Sequence, residues 1–311
     1  MSAEITKIKT ANHEEWLALR SRYIGGSDAA AVVGLNAHSS PYALWAEKTG
    51  KVPGFAGNLA TEVGAYLEEF IAQKFAQETG KKVRNCNLSF LNSQYPFAIA
   101  NIDLEIVGED AGLEIKFTDS LNMKKFKGGE YPSNYYVQCV HYLAVTGKKR
   151  WYLAVLIGNK EFKWFVIERD EAEIAALMEA EAEFWELVKN DIPPAIDGTQ
   201  ATTDAIKTIY ANSNDDSVCD LVMHQTDLDQ YIALTNQIKE LEALRDEAAN
   251  KVKLFMGESG SGESERFRVS WKSSPRKTFD SKRFASENPG IDLSAYYNTT
   301  STRTFRVSEI N

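Results

Sequence analysis

Asp103 and the run Glu114-Ile115-Lys116 are the residues of this chain whose types and spacing can do chemistry. The two carboxylates offer hard oxygens suited to Mg²⁺ or Mn²⁺, ions that favour six oxygen ligands, and the Ile115 carbonyl could add another. A lysine beside such an ion can orient or deprotonate an attacking water and stabilise charge on a phosphate. That is the outline of a metal-dependent phosphodiesterase. The plainer reading is an exposed cross-strand ion pair, since an Asp followed some ten residues later by Glu-x-Lys arises often by chance.

The elements that must position these groups are legible around them. ANIDLEIVGEDAGLEIKF, residues 100–117, reads as two short apolar strands joined by a polar turn. Side chains alternate along a strand, so Glu114 and Lys116 share one face while Leu113, Ile115 and Phe117 point into a core. Upstream, HEEWLALRSRYIGGSDAAAVVGLN reads as a helix, a Gly-Gly turn and a second short helix capped by Ser27 and closed by Gly34. With Arg20, that start could grip a phosphate; alternatively Ser27 is only a cap beside surface arginines. LATEVGAYLEEFIAQKFAQETG, residues 59–80, is a periodic helix striped by Val63, Leu67, Phe70, Ile71 and Phe75. Glu68 and Glu69 lie beside that stripe, where either could reach a metal or simply be solvated. MKKFKGGEYP reads as a mobile, lysine-rich loop, and the helix after it, SNYYVQCVHYLAVTG, places Tyr135 and Gln138 on one face. Two strands, RWYLAVLIG and FKWFVIE, precede a helix over 170–189 whose eight acids between Glu168 and Glu186 read as a solvated outer face.

The 311 residues, 43% apolar and 25% charged, are those of an ordinary globular chain with ample core. A formal net charge of −9 excludes a protein coated in basic surface, although a local basic groove can act within an acidic whole. Three cysteines and four scattered histidines share no metal-site spacing, so no zinc centre is expected and the thiols read as reduced. No signal peptide and no run of 18 apolar residues is present, which predicts a cytoplasmic protein without membrane partners. DIPPAIDGTQ breaks the pattern and sets a domain boundary, giving regions 1–197 and 198–311. The second region holds an amphipathic helix over 225–256, with Leu234, Ile238, Leu241, Ala248, Val252 and Phe255 at alternating spacings of three and four. RFRVSWKSSPRKTFDSKRF follows, with seven basic residues against one Asp, interleaved with aromatics; it suits a nucleic-acid backbone, or the charged face of a β-hairpin.

In order, IGGSDAAAVVG, the Gly64-to-Glu68 spacing ahead of ETG, Asp103 with Glu114-x-Lys116, and YYVQCVHYLAVTGKKRWYLAVLIG resemble the YqaJ-type viral recombinases. These are lambda exonuclease-like members of the restriction-endonuclease-like nuclease superfamily, and the resemblance covers about residues 13–197. It implies an α/β fold with a restriction-endonuclease-like core, a mixed central sheet flanked by helices, followed here by a C-terminal helical and β-hairpin region. It implies that Asp103 and Glu114, with the Ile115 carbonyl, bind metal, that Lys116 is catalytic and that Glu68 lies near a second metal. Gln138 then closes the site, Tyr135 lies near the substrate strand, and Ser27 with Arg20 grips a terminal 5′ phosphate. The implied activity is a 5′ to 3′ exonuclease on double-stranded DNA, using two Mg²⁺ (or Mn²⁺) ions, releasing mononucleotides and leaving 3′ single strands for recombination. The implied partners are 5′-phosphorylated duplex ends, further copies in a homo-oligomer such as a ring trimer, and a single-strand annealing protein, in a bacterial host carrying a phage or prophage. An endonuclease or nickase on the same core, and a DNA-binding protein without chemistry, are the competing readings. Ile102 and Asn101 depart from the commoner pattern of Pro and Ser, which touches fine substrate contacts rather than metal ligands.

Overall fold

Strand-forming runs and amphipathic helices alternate through the first two thirds of the chain, and they assemble as two mixed sheets with helices around them. The computed structural model describes residues 4–102, 104–298 and 302–308. The chain divides into two units, Met1–Tyr210 and Ala211–Asn311. In the first, β1 (Ile5–Ile8), α1 (His13–Arg20), β2 (Ile24–Gly25), α2 (Gly26–Val32), α3 (Pro41–Lys48) and α4 (Leu59–Thr79) lead into the strands β3 (Val83–Asn85), β4 (Ser89–Asn92), β5 (Ala98–Asn101), β6 (Leu104–Ile106) and β7 (Ala111–Thr118). Then come α5 (Ser133–Thr146), β8 (Arg150–Ile157), β9 (Glu161–Glu168), α6 (Glu171–Lys189) and α7 (Gln200–Ile209).

One sheet has the order β1-β4-β5-β2 and the other β3-β6-β7-β8-β9. Each holds one parallel pair, β2 with β5 and β7 with β8, among antiparallel neighbours. The apolar sequence here is divided between the sheets, β5 entering one and β6 the other. Asp103 sits in sequence at that changeover and lies outside the described residues. The parallel step from β7 to β8 is made through α5, as a parallel pair requires a crossover. β8 is apolar and almost wholly buried, the mark of a strand covered on both faces. On one side, Val140, Leu143 and Ala144 of α5 join Ala29 and Ala30 of α2 and Ile174, Leu177 and Met178 of α6 in a core. On the other, Ile71, Ala72 and Phe75 of α4 pack against Leu113 and Ile115 of β7.

Several local expectations are corrected. The lysine-rich segment is not an open loop: residues Ser120–Gly129 form short helical turns, Phe126 is buried, and Lys163 Nζ donates to its carbonyl at 2.8 Å. The first unit closes at Tyr210 rather than near Asp197, because Ala205 of α7 buries against Trp45 and Phe184, and Ser40 Oγ lies 2.7 Å from Thr202 Oγ1. Glu181 on the acidic helix is fully buried rather than solvated.

The second unit contains α8 (Gln225–Met256), the antiparallel hairpin β10 (Ser261–Glu263) with β11 (Arg268–Ser270), and α9 (Ser281–Glu287). No residue of α8 is buried. Among the described residues no helix is long and apolar enough to cross a membrane.

Candidate active site

Alternation along β7 does what the sequence requires: Leu113 and Ile115 enter the core under α4, and Glu114 and Lys116 emerge together on the opposite face. Glu114 is only 2% exposed. Its Oε1 accepts from Gln138 Nε2 at 2.8 Å and stands 2.7 Å from Lys116 Nζ. Its Oε2 is buried with no hydrogen-bond partner among the described residues. An unpaired buried carboxylate oxygen is costly unless something compensates it, and a cation is the natural complement.

Gln138 owes its place to α5, whose face also carries Tyr135 and Tyr142. Gln138 Nε2 donates to both Glu114 and the Tyr142 hydroxyl, each at 2.8 Å, which fixes the amide's orientation. The Tyr135 ring faces Lys116 Nζ at 5.5 Å. From α4, Glu68 completes the group: partial burial and the Glu114 carboxylate push its carboxyl above the usual range, against the pull of Lys116. Glu68, whose ionisation costs more beside Glu114, and Glu114, with one buried oxygen unpartnered, suit a hard divalent ion. No set of three His, Cys, Asp or Glu side chains gathers among the described residues. Asp103, the remaining expected ligand, lies outside them.

The second expected group lies at the start of α2. Arg20 Nη2 donates to Ser27 Oγ at 2.5 Å, and the guanidinium lies 5.3 Å from the Trp16 ring. Ser27 is not the cap. Gly25 holds that position, and its N–H donates to Asp28 Oδ2 at 3.0 Å, so the acid rather than the serine closes the turn. Asp28 also meets Lys48 Nζ at 2.8 Å and Arg20 Nη2 at 3.6 Å. Burial raises the Asp28 carboxyl, and Lys48 and Arg20 outweigh it, leaving the group below the usual carboxylate value. This cluster touches the acidic one through Tyr142: a Cβ on Gly26 would stand 2.5 Å from that ring, so only glycine lets α2 approach so closely.

Behind the site, His141 and Glu181 are both fully buried, with Nδ1 2.8 Å from Glu181 Oε1 and Nε2 3.0 Å from the Ile99 carbonyl oxygen. Burial disfavours the charged ring, but Glu181 and the Ile99 carbonyl prevail and His141 titrates above the ordinary histidine value. The pair ties α5, α6 and β5 together one turn from Gln138. Sequence reading missed it, as it missed Tyr142, Asp28 and Lys48. A signal existed for Glu181, which falls in register with Ile174, Leu177, Met178 and Phe184 on the buried face of α6. Tyr142 likewise continues the face of Tyr135 and Gln138.

The family model for the YqaJ-like viral recombinase domain matches residues 15–149. The chain belongs to that family. It is 36% identical over 292 residues to the uncharacterized protein YqaJ of Bacillus subtilis (strain 168), spanning 92% of each. Among solved structures, the alkaline exonuclease LHK-Exo from Laribacter hongkongensis aligns with a TM-score of 0.48 and 22% identity, over 58% of this chain and 94% of that one. Its complex with dAMP aligns with a TM-score of 0.49. A phage related exonuclease from Haemophilus somnus 129PT aligns at 0.42 with 12% identity, over 57% and 99% of the two chains.

Proposed function

We propose that the protein is a metal-dependent deoxyribonuclease that degrades double-stranded DNA from 5′ ends, releasing mononucleotides and leaving 3′ single strands for recombination. The observation that carries this reading is the state of Glu114: buried, with one oxygen tied to Gln138 and Lys116 and the other without a partner. Membership of a recombinase family supports it, and the restriction-endonuclease-like core is part of the same reading.

Glu114, Asp103, the Ile115 carbonyl and Glu68 are the groups that would hold Mg²⁺ or Mn²⁺, in two positions. Bound there, the ions would supply Lewis-acid stabilisation of the phosphate and a more acidic water. Gln138 keeps Glu114 from rotating, so the unpartnered oxygen stays aimed. The Lys116 ammonium, already beside that carboxylate, can orient the attacking water and offset negative charge as it builds on the phosphate. Tyr135 offers a flat ring to the substrate strand, and Arg20 with Ser27 offers two donors to a terminal 5′ phosphate. The reading extends to further copies of the chain, with a ring trimer as the assembly in view, and to a single-strand annealing protein that takes up the 3′ strand.

The test is digestion of linear duplex DNA labelled at one 5′ end, with Mg²⁺, by wild type and by Lys116→Ala, beside a covalently closed circle. Early release of labelled mononucleotide from linear DNA, abolished by chelator and by the substitution, is the expected result. Cutting of the circle would establish an endonuclease instead. Binding without any cleavage would establish a protein without chemistry.

A further inference from the structure

α8 is 32 residues long and buries none of them. Its half-buried positions are Leu228, Ile232, Ala249 and Met256. A different stripe is left open, and it follows a seven-residue repeat: Leu234, Ile238, Leu241, Ala248, Val252 and Phe255 occupy its two inner positions. Tyr231 precedes them in the same register and Arg245 interrupts it. A sustained repeat of this kind supercoils against another helix, because 3.5 residues per turn keeps one seam facing the partner. From Tyr231 to Phe255 the seam runs about 36 Å at 1.5 Å per residue.

The stripe is complementary to itself when reversed. We propose that α8 pairs with α8 of a second copy, antiparallel, with Tyr231 opposite Phe255 of the second copy, Leu234 opposite Val252, Ile238 opposite Ala248, and Leu241 opposite Arg245. Every inner position then has a partner, large against small at Ile238 and Ala248. The contact is isologous, each residue meeting the one that meets it, so it closes as a two-fold dimer. Interdigitation over this length buries on the order of 1,500 Å², the range of stable interfaces.

Charge selects this arrangement over the parallel one. In a parallel pair Arg245 would face Arg245 of the second copy within an apolar seam. Reversed, each Arg245 lies next to Glu242 of the other copy, giving two reciprocal ion pairs at the centre. In the single chain that arginine is held by Asp246 at 2.9 Å and only distantly by Glu242 at 3.8 Å, both outside any packed surface. The reversal also accounts for Leu244, which is 62% exposed beside the seam and meets its own counterpart at the two-fold axis. Phe255, 94% exposed, reaches the edge-to-face pair of Tyr231 and Phe305, whose centroids are 5.4 Å apart.

The experiment is the solution mass of the full chain by light scattering, for wild type and for Ile238→Glu/Leu241→Glu, substitutions at exposed positions of a helix that tolerates glutamate. The variant should have half the mass of the wild type: one copy against two, or, where the first unit holds a ring of three, three copies against six. Register is read by oxidative cross-linking in a Cys86→Ser/Cys219→Ser background. Ile238→Cys mixed with Ala248→Cys should link the two copies, while Leu241→Cys should not link to itself. Equal masses, as expected if α8 instead meets its own chain or a different protein, overturn the proposal, and so does self-linking of Leu241→Cys.

Discussion

Replacing Glu181 with glutamine tests whether an acid on the acidic helix is structural. Both members of the His141–Glu181 pair are fully buried. Removing one partner of a buried ion pair costs about 3–5 kcal/mol, because the other is left charged or must neutralise. Glutamine keeps the shape and one hydrogen bond to Nδ1, so the expected loss is about 3 kcal/mol, out of a total of about 5–15 kcal/mol for a domain. With a urea m-value near the upper end of about 1–3 kcal/mol/M, the midpoint falls by about 1 M. The assay is urea unfolding followed by tryptophan fluorescence, for which Trp45 and Trp151 are buried reporters in the first unit. The sign with pH follows from the raised value of His141. A raised folded-state value contributes stability that is complete below the ordinary histidine range and is lost as pH rises through the folded value. Burial, opposed by His141, also raises the Glu181 carboxyl, which acts in the same direction. The deficit of Glu181→Gln is therefore largest near pH 6 and shrinks as pH rises through the folded value of His141. A midpoint shift under about 0.3 M, or a deficit that grows as pH rises, would refute the reasoning and return Glu181 to the solvated face.

Three further outcomes follow from the site. Lys116→Met should lower single-turnover cleavage of duplex DNA by about 10²–10³-fold, the usual loss of one charge-stabilising donor, with the Kd for DNA within about threefold in a gel-shift titration. Arg20→Ala should reduce the preference for 5′-phosphorylated over 5′-hydroxyl ends by about 10–100-fold, since one charge-assisted hydrogen bond is worth about 1.5–3 kcal/mol; competition between the two substrates measures it. Gly26→Ala forces a methyl to 2.5 Å from Tyr142 Cε1. It should cost about 1–3 kcal/mol in urea unfolding and slow cleavage about tenfold, because Tyr142 supports Gln138.

Much was legible in the residues alone. Period-two alternation by itself places Glu114 and Lys116 on one face, and the 3.6-residue stripe by itself makes α4 a core helix with Glu68 on its flank. These are local rules, set by backbone geometry and by which side chains leave water. Order among separated motifs, another property of sequence, was enough to indicate the family to which the chain belongs. Tertiary structure decided what depends on residues distant in sequence. That β5 enters one sheet and β6 the other depends on which neighbours bid for their hydrogen bonds. That Asp28 rather than Ser27 closes α2 depends on Lys48 arriving from α3 to pair with it. Burial of Glu181 depends on a histidine 40 residues earlier presenting a nitrogen across the helix interface. Charge in a sequence is read as solvated until a partner is seen, and partners are supplied only by the packed chain.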